Sequence, residues 1–237
     1  MEEKIQIQTE DSHTLYGTLN WQEFQSNILI IFVHGFSGNQ NRHLFFNGAK
    51  FFPQHDITTF RFNLYDSREG GRLLRECSIR THSLDVDTVV KYFKGKFDKI
   101  YLVGHSLGGP SIIYSSQDVD VMILWEPSLV LDDSHYRSWE LYQDKDIYIF
   151  KGGVEKLASK KMYDEWVQSN QSMVQLIKIP TCIICAGNGT LLNRWEKVID
   201  KMIVPYKFIS IEGANHGFDE EGVEDKLFQE TLKYLKS

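Results

Sequence analysis

The chain has 237 residues, 42% of them hydrophobic and 24% charged, with a formal net charge of −6. That is the balance of a globular protein built as one domain with room for an insertion. Its mild acidity excludes the concentrated Lys and Arg on which nucleic-acid and anionic-membrane contacts depend, and no apolar run approaches the ~20 residues of a transmembrane helix. Met1-Glu2-Glu3-Lys4 leads into an alternating pattern rather than a signal-peptide core, so the expectation is a cytoplasmic protein with no membrane or nucleic-acid partner.

In chain order, residues 3–9 and 13–19 alternate apolar and polar side chains across Glu10-Asp11-Ser12. They predict an antiparallel hairpin at a sheet edge. The apolar run over 28–33 predicts a buried strand that ends on His34-Gly35-Phe36, and a further strand is predicted over 57–62. Leu84, Val86, Val89, Val90 and Phe93 recur at helical spacing and predict a packing helix over 83–93.

The strand predicted over 99–103 runs into Gly104-His105-Ser106-Leu107-Gly108-Gly109, and a helical stretch over 111–116 follows. A G-x-S-x-G segment between strand and helix is a nucleophile elbow. Its turn is so tight that the flanking residues are small, and it lifts the serine hydroxyl clear of the sheet at the N-terminus of the next helix. Ser106 is therefore the candidate nucleophile.

Strands follow over 119–125, 181–186 and 205–211, then a helical stripe over 227–235. Apolar strands alternating with helices predict an α/β protein with a mostly parallel sheet of eight strands. Residues 127–178, between the sixth and seventh strands, are too many for a simple crossover. They form a candidate lid inserted into a core made of 1–126 and 179–237. Tyr136, Trp139, Tyr142, Tyr148, Phe150, Tyr163 and Trp166 lie in it, and such rings either pack the segment down or line an apolar pocket. Of the three cysteines, Cys182 and Cys185 form a C-x-x-C, but a period of two sends them to opposite faces of a buried strand, against metal or redox use.

With the elbow after the fifth strand, His34-Gly35-Phe36 after the third and Gly213-Ala214-Asn215-His216-Gly217-Phe218 after the last, the whole chain resembles the α/β-hydrolase superfamily. It looks most like the small bacterial carboxylesterases, including the cinnamoyl and feruloyl esterase group. The resemblance implies an α/β-hydrolase fold, an eight-stranded mostly parallel sheet flanked by helices with a lid after the sixth strand. It also implies a small-molecule ester substrate and no metal or organic cofactor.

A serine hydroxyl is a poor nucleophile at neutral pH, and an imidazole suits the task of taking its proton. His216 is the candidate base, since the resemblance brings a histidine back to the elbow from that loop. The charge on a tetrahedral intermediate calls for preorganised N–H donors. The residue after the nucleophile, Leu107, supplies one in this fold, and the resemblance assigns the other to Phe36.

The third triad member departs from the pattern. Relatives usually carry an aspartate three residues beyond a glycine after the seventh strand, and Gly187-Asn188-Gly189-Thr190 places Thr190 there. A threonine cannot supply the negative charge that orients the imidazole. Glu126 ends the sixth strand on the same rim as the elbow and is the candidate replacement, as in some lipases of the superfamily; Asn188 is the alternative, as a neutral orienter. A weak or catalytically silent binding protein on the same fold, or a peptidase, thioesterase or acyltransferase on the same site, is the competing expectation.

Overall fold

Apolar side chains on consecutive residues make strands covered on both faces. In the computed structural model, which describes residues 1–131, 139–142, 146–151 and 155–237, the inner strands of one eight-stranded sheet are of this kind. The chain begins with β1 (Glu2–Gln8), β2 (Thr14–Asn20), β3 (Ile28–Val33), α1 (His43–Phe51), β4 (Thr58–Phe62) and α2 (Ile79–Phe93). It continues with β5 (Lys99–His105), α3 (Gly108–Ile113) and β6 (Val121–Trp125). After the segment that contains β7 (Trp139–Tyr142), β8 (Ile147–Phe150), β9 (Lys156–Ser159) and α4 (Lys160–Val167), it closes with β10 (Thr181–Ala186), α5 (Thr190–Glu196), β11 (Tyr206–Ile211) and α6 (Val223–Leu235).

The main sheet runs β1-β2-β4-β3-β5-β6-β10-β11. Only β2 is antiparallel to its neighbours, β1 and β4, and the remaining pairings are parallel. The carboxyl ends of β3, β5, β6, β10 and β11 therefore share one rim, where ligands bind in open α/β sheets.

Each sheet face has its own core. On one, Leu102, Leu124 and Ile183 pack with Val86 and Val89 of α2 and Ile112 of α3. On the other, Phe32, Val103 and Trp125 pack with Phe45 of α1 and Phe228 of α6. Trp125 Nε1 also donates to Thr231 Oγ1 at 3.0 Å, which satisfies the indole N–H inside that layer. Cys185 belongs to the first layer and Cys182 to the second, as the strand period requires. Ser78 starts α2 as a reciprocal cap: its Oγ accepts from Thr81 N–H, and Thr81 Oγ1 accepts from Ser78 N–H.

Two features differ from the sequence reading. The helix after the elbow begins at Gly108 and ends at Ile113, rather than spanning 111–116. Pro110 falls in its first turn, where a missing N–H goes unused, so proline does not delay the start. Residues 127–178 also carry a three-stranded antiparallel sheet in the order β7-β8-β9, which the sequence did not predict. Its strands are four residues long, too short for an alternating pattern to stand out among the aromatics. Trp139, Ala158, Met162 and Trp166 form a small core with Cys77, Ile79, Leu107 and Val130, so this segment packs directly against the elbow. Tyr136 and His135 lie outside the described residues.

The elbow packs without space. A Cβ on Gly108 would collide with the carbonyl oxygen of Val33, a backbone atom held in the sheet. Gly108→Ala should therefore destabilise the fold by about 3 kcal/mol or more. Gly95→Ala, at φ +80° with nothing within 4 Å, should cost only about 1 kcal/mol of left-handed strain. Urea unfolding of the two variants checks this, and equal losses would contradict the packing account.

Candidate active site

β5 turns into α3 at Ser106, whose φ of +54° is left-handed, a conformation that L residues hold only where the surroundings impose it. Three hydrogen bonds do so. Ser106 N–H donates to Trp125 O, and Ser106 O accepts from Gly109 N–H and Ser128 N–H, all at 3.0 Å. The glycines are needed for approach: a Cβ on Gly104 would stand 2.6 Å from Ile112 Cδ1. One on Gly35 would stand 2.9 Å from Ser106 Cβ and 3.5 Å from Leu107 N. The turn after β3 thus lies on the elbow, and neither Phe36 N–H nor Leu107 N–H has an acceptor among the described residues.

Two neutral histidines brace this arrangement. His34 Nδ1–H donates to Gly35 O at 2.9 Å while Nε2 accepts from Leu64 N–H at 3.0 Å, and burial pushes its pKa down to about 4. His105 is likewise pushed down to about 3, by burial first and then by His216 beside it. Its Nε2–H donates to the carbonyl oxygen of His216 at 2.8 Å, a support for that loop that no local sequence pattern marks.

His216 Nε2 lies 3.1 Å from Ser106 Oγ, within hydrogen-bond reach. Behind it, His216 Nδ1 is 4.0 Å from Glu126 Oε1, longer than a hydrogen bond. Glu126 is 1% exposed and sits at a left-handed φ of +43°. Its N–H donates to Ile184 O at 2.8 Å and its Oε2 accepts from Ala186 N–H at 2.6 Å. Oε1 has no hydrogen-bond partner among the described residues and is the oxygen nearer the imidazole. A buried carboxylate oxygen without a donor is costly, and a protonated imidazole would complete it.

Thr190 opens α5 and lies on the wall of a cavity that Ser106, Glu126 and His216 also line. Asn188 is exposed, its N–H donates to Ala214 O at 2.9 Å, and no hydrogen bond joins it to His216 among the described residues. Ser128 is an addition that sequence reasoning missed, buried with its Oγ 3.4 Å from Ser106 Oγ.

Two cavities meet at the serine. One of about 470 Å³ is walled by Glu126, Leu129, Val130, Phe150 and Trp166. The other, of about 150 Å³, shares Phe36, Ser106 and His216 with it and is otherwise walled by residues that include Arg42, His43 and Phe45. The insertion's aromatics divide accordingly. Phe150 and Trp166 face the larger cavity, while Trp139 packs behind them with its ring 5.0 Å from Phe150 and 5.6 Å from Trp166. Asp66 and Arg68 pair with each other at 2.5 Å, and Tyr65 donates to Gly38 O at 2.8 Å; none of the three lines either cavity. Among the described residues no three His, Cys, Asp or Glu side chains gather to hold a metal ion, and no helix is long and apolar enough to cross a membrane.

The strand order, the antiparallel β2 and the serine turn between β5 and α3 define the α/β-hydrolase fold. The structure is similar to Est1E from Butyrivibrio proteoclasticus with ferulic acid bound, at a TM-score of 0.79 and 16% identity over 98% of this chain and 100% of that one. It is also similar to the α/β-hydrolase GrgF from Penicillium sp. sh18, at 0.80 and 18% over 100% and 98%. The dienelactone hydrolase from Anabaena variabilis gives 0.74 and 14% over 100% and 97%. At such identities the likeness is one of fold. No protein-family model matches the sequence, and comparison with curated proteins finds no match.

Gly189 leaves the space that Glu126 occupies: a Cβ there would collide with Oε1. A crystal structure of Gly189→Ala should show that oxygen displaced from its position 4.0 Å from His216 Nδ1. An unmoved carboxylate would contradict the reading that the glycine makes room for it.

Proposed function

We propose that the protein is a serine hydrolase that cleaves carboxylic esters of small apolar or aromatic acyl groups through an acyl-enzyme. The observation that carries this is the 3.1 Å approach of His216 Nε2 to Ser106 Oγ beside two unengaged N–H groups. His216 takes the hydroxyl proton as Ser106 Oγ attacks the carbonyl carbon, and Phe36 and Leu107 N–H bind the oxyanion. The intermediate collapses as His216 returns the proton to the leaving alcohol, and water then releases the acid by the same steps in reverse roles. Glu126 stabilises the imidazolium formed in each half, closing the 4.0 Å separation as charge develops. No metal or organic cofactor enters these steps.

Residues 127–178 serve as the lid on a core of 1–126 and 179–237, with Phe150 and Trp166 facing the acyl group. The aromatic acid held by the similarly folded Est1E is in keeping with that choice. The second reading, a silent binding protein, is favoured by the absence of charge at Thr190 and by the long His216 to Glu126 separation.

With a short p-nitrophenyl ester, Ser106→Ala and His216→Ala should each lower turnover at least about 10³-fold, and the double variant should be scarcely worse, because the two act as a unit. Near wild-type turnover in either single variant would remove that residue from the mechanism. Wild-type protein that is folded yet inert toward such esters would favour the silent reading.

Trp166→Ala should change the ranking of acyl groups, whereas Trp139→Ala should chiefly cost stability, about 3 kcal/mol or more. Acyl-series kinetics and thermal melts distinguish the two. Equal effects of both variants on ranking would contradict the division of their roles.

A further inference from the structure

An ester has two halves, and two cavities of different size meet at Ser106. The larger is walled by Leu129, Val130, Phe150 and Trp166 and suits an apolar acyl group. Charge stands in both: Glu126 and Arg194 also line the larger, where Arg194 Nη1 donates to Leu129 O at 2.9 Å, and Arg42 lines the smaller. Arg42 is exposed on its wall, and the guanidinium has no hydrogen bond or ion pair among the described residues. By contrast, Arg68 pairs with Asp66, and Arg72 with Asp11 and Asp85.

Among the described residues no aspartate or glutamate lines the smaller cavity. Glu224, a carboxylate that α1 contacts, is already engaged: Oε1 accepts from His43 Nδ1–H and Oε2 from Asn47 Nδ2, both at 2.7 Å. The charge of Arg42 also reaches the groups beneath the nucleophile, where it helps to hold both His34 and His105 neutral. An arginine with no structural partner, on the wall of a cavity that ends at the nucleophile and base, is placed to meet substrate.

We propose that Arg42 recognises a carboxylate on the alcohol half of the ester, so that the natural leaving group is a short hydroxy acid. The inference rests on the ester-hydrolase reading above. A guanidinium presents a planar fork that matches a carboxylate bidentately, and a volume of about 150 Å³ limits the alcohol to a few heavy atoms beyond its oxygen. Hydrolysis then adds water across the acyl C–O bond and releases an aromatic or apolar acid together with the hydroxy acid, whose new hydroxyl takes its proton from His216.

The test uses two isosteric esters of one aromatic acid, cinnamoyl glycolate and cinnamoyl glycolamide, which differ in the charge of the leaving group. The readout is the ratio of their kcat/KM values, which does not depend on the folded fraction of a preparation. Arg42→Gln should lower that ratio about tenfold through KM for the glycolate ester, Arg42→Glu should lower it further, and salt should erode the wild-type preference. A wild-type ratio near one, or the same ratio in Arg42→Gln, would overturn the proposal. Hydrolysis of the glycolamide ester that disappears in Ser106→Ala keeps the hydrolase reading standing in that event. Wild-type hydrolysis of neither ester would overturn both.

Discussion

The site depends on one close approach of backbone to backbone. Where β3 and β5 end side by side, Gly108 lies against Val33 O and Gly35 against Ser106, at separations no Cβ could enter. This contact seats the left-handed turn that the hydrogen bonds of Ser106 hold, beside the Phe36 and Leu107 N–H groups that have no acceptor among the described residues. The parallel order β3-β5-β6-β10-β11 then brings the ends of all five strands to one rim, so residues far apart in sequence meet there. Chemistry is added by the loops, and the sheet supplies the alignment.

In the proposed mechanism the acid is drawn from β6 rather than from its neighbour β10, and several local features make the exchange workable. A glutamate reaches one methylene further than an aspartate. Ala186 N–H fixes Oε2 at 2.6 Å, and Gly189, in the loop where relatives of the fold place their aspartate, leaves the space in which Oε1 stands. The left-handed φ at Glu126 and the undonated Oε1 are both unfavourable by themselves. They become intelligible if the carboxylate is kept ready for an imidazolium.

Six strands of the main sheet were legible because buried parallel strands are written as largely apolar runs, and the terminal hairpin because β1 and β2 alternate. Ser106 and the turn at Gly35 were legible because glycine spacing encodes steric approach. His216 came from its place after the last strand, and Glu126 from a carboxylate at the end of an apolar run. The β7-β8-β9 sheet was not legible, since four-residue strands carry too little period. Ser128, Arg42 and the bond from His105 to His216 O were hidden for a different reason: their partners are fixed by tertiary contact, and nothing in their neighbours' identities marks them.

The central claim is that Ser106 is activated by His216 with Glu126 behind it. Its most direct test is the rate at which a fluorophosphonate forms an adduct, located by mass spectrometry, in wild-type protein and in Glu126→Gln. A single adduct is expected on Ser106, lost on denaturation and forming many-fold more slowly in the variant, toward the ~10⁴ loss known where a triad aspartate becomes an amide. Equal rates in the two proteins, or no adduct on Ser106 in the folded wild type, would contradict it.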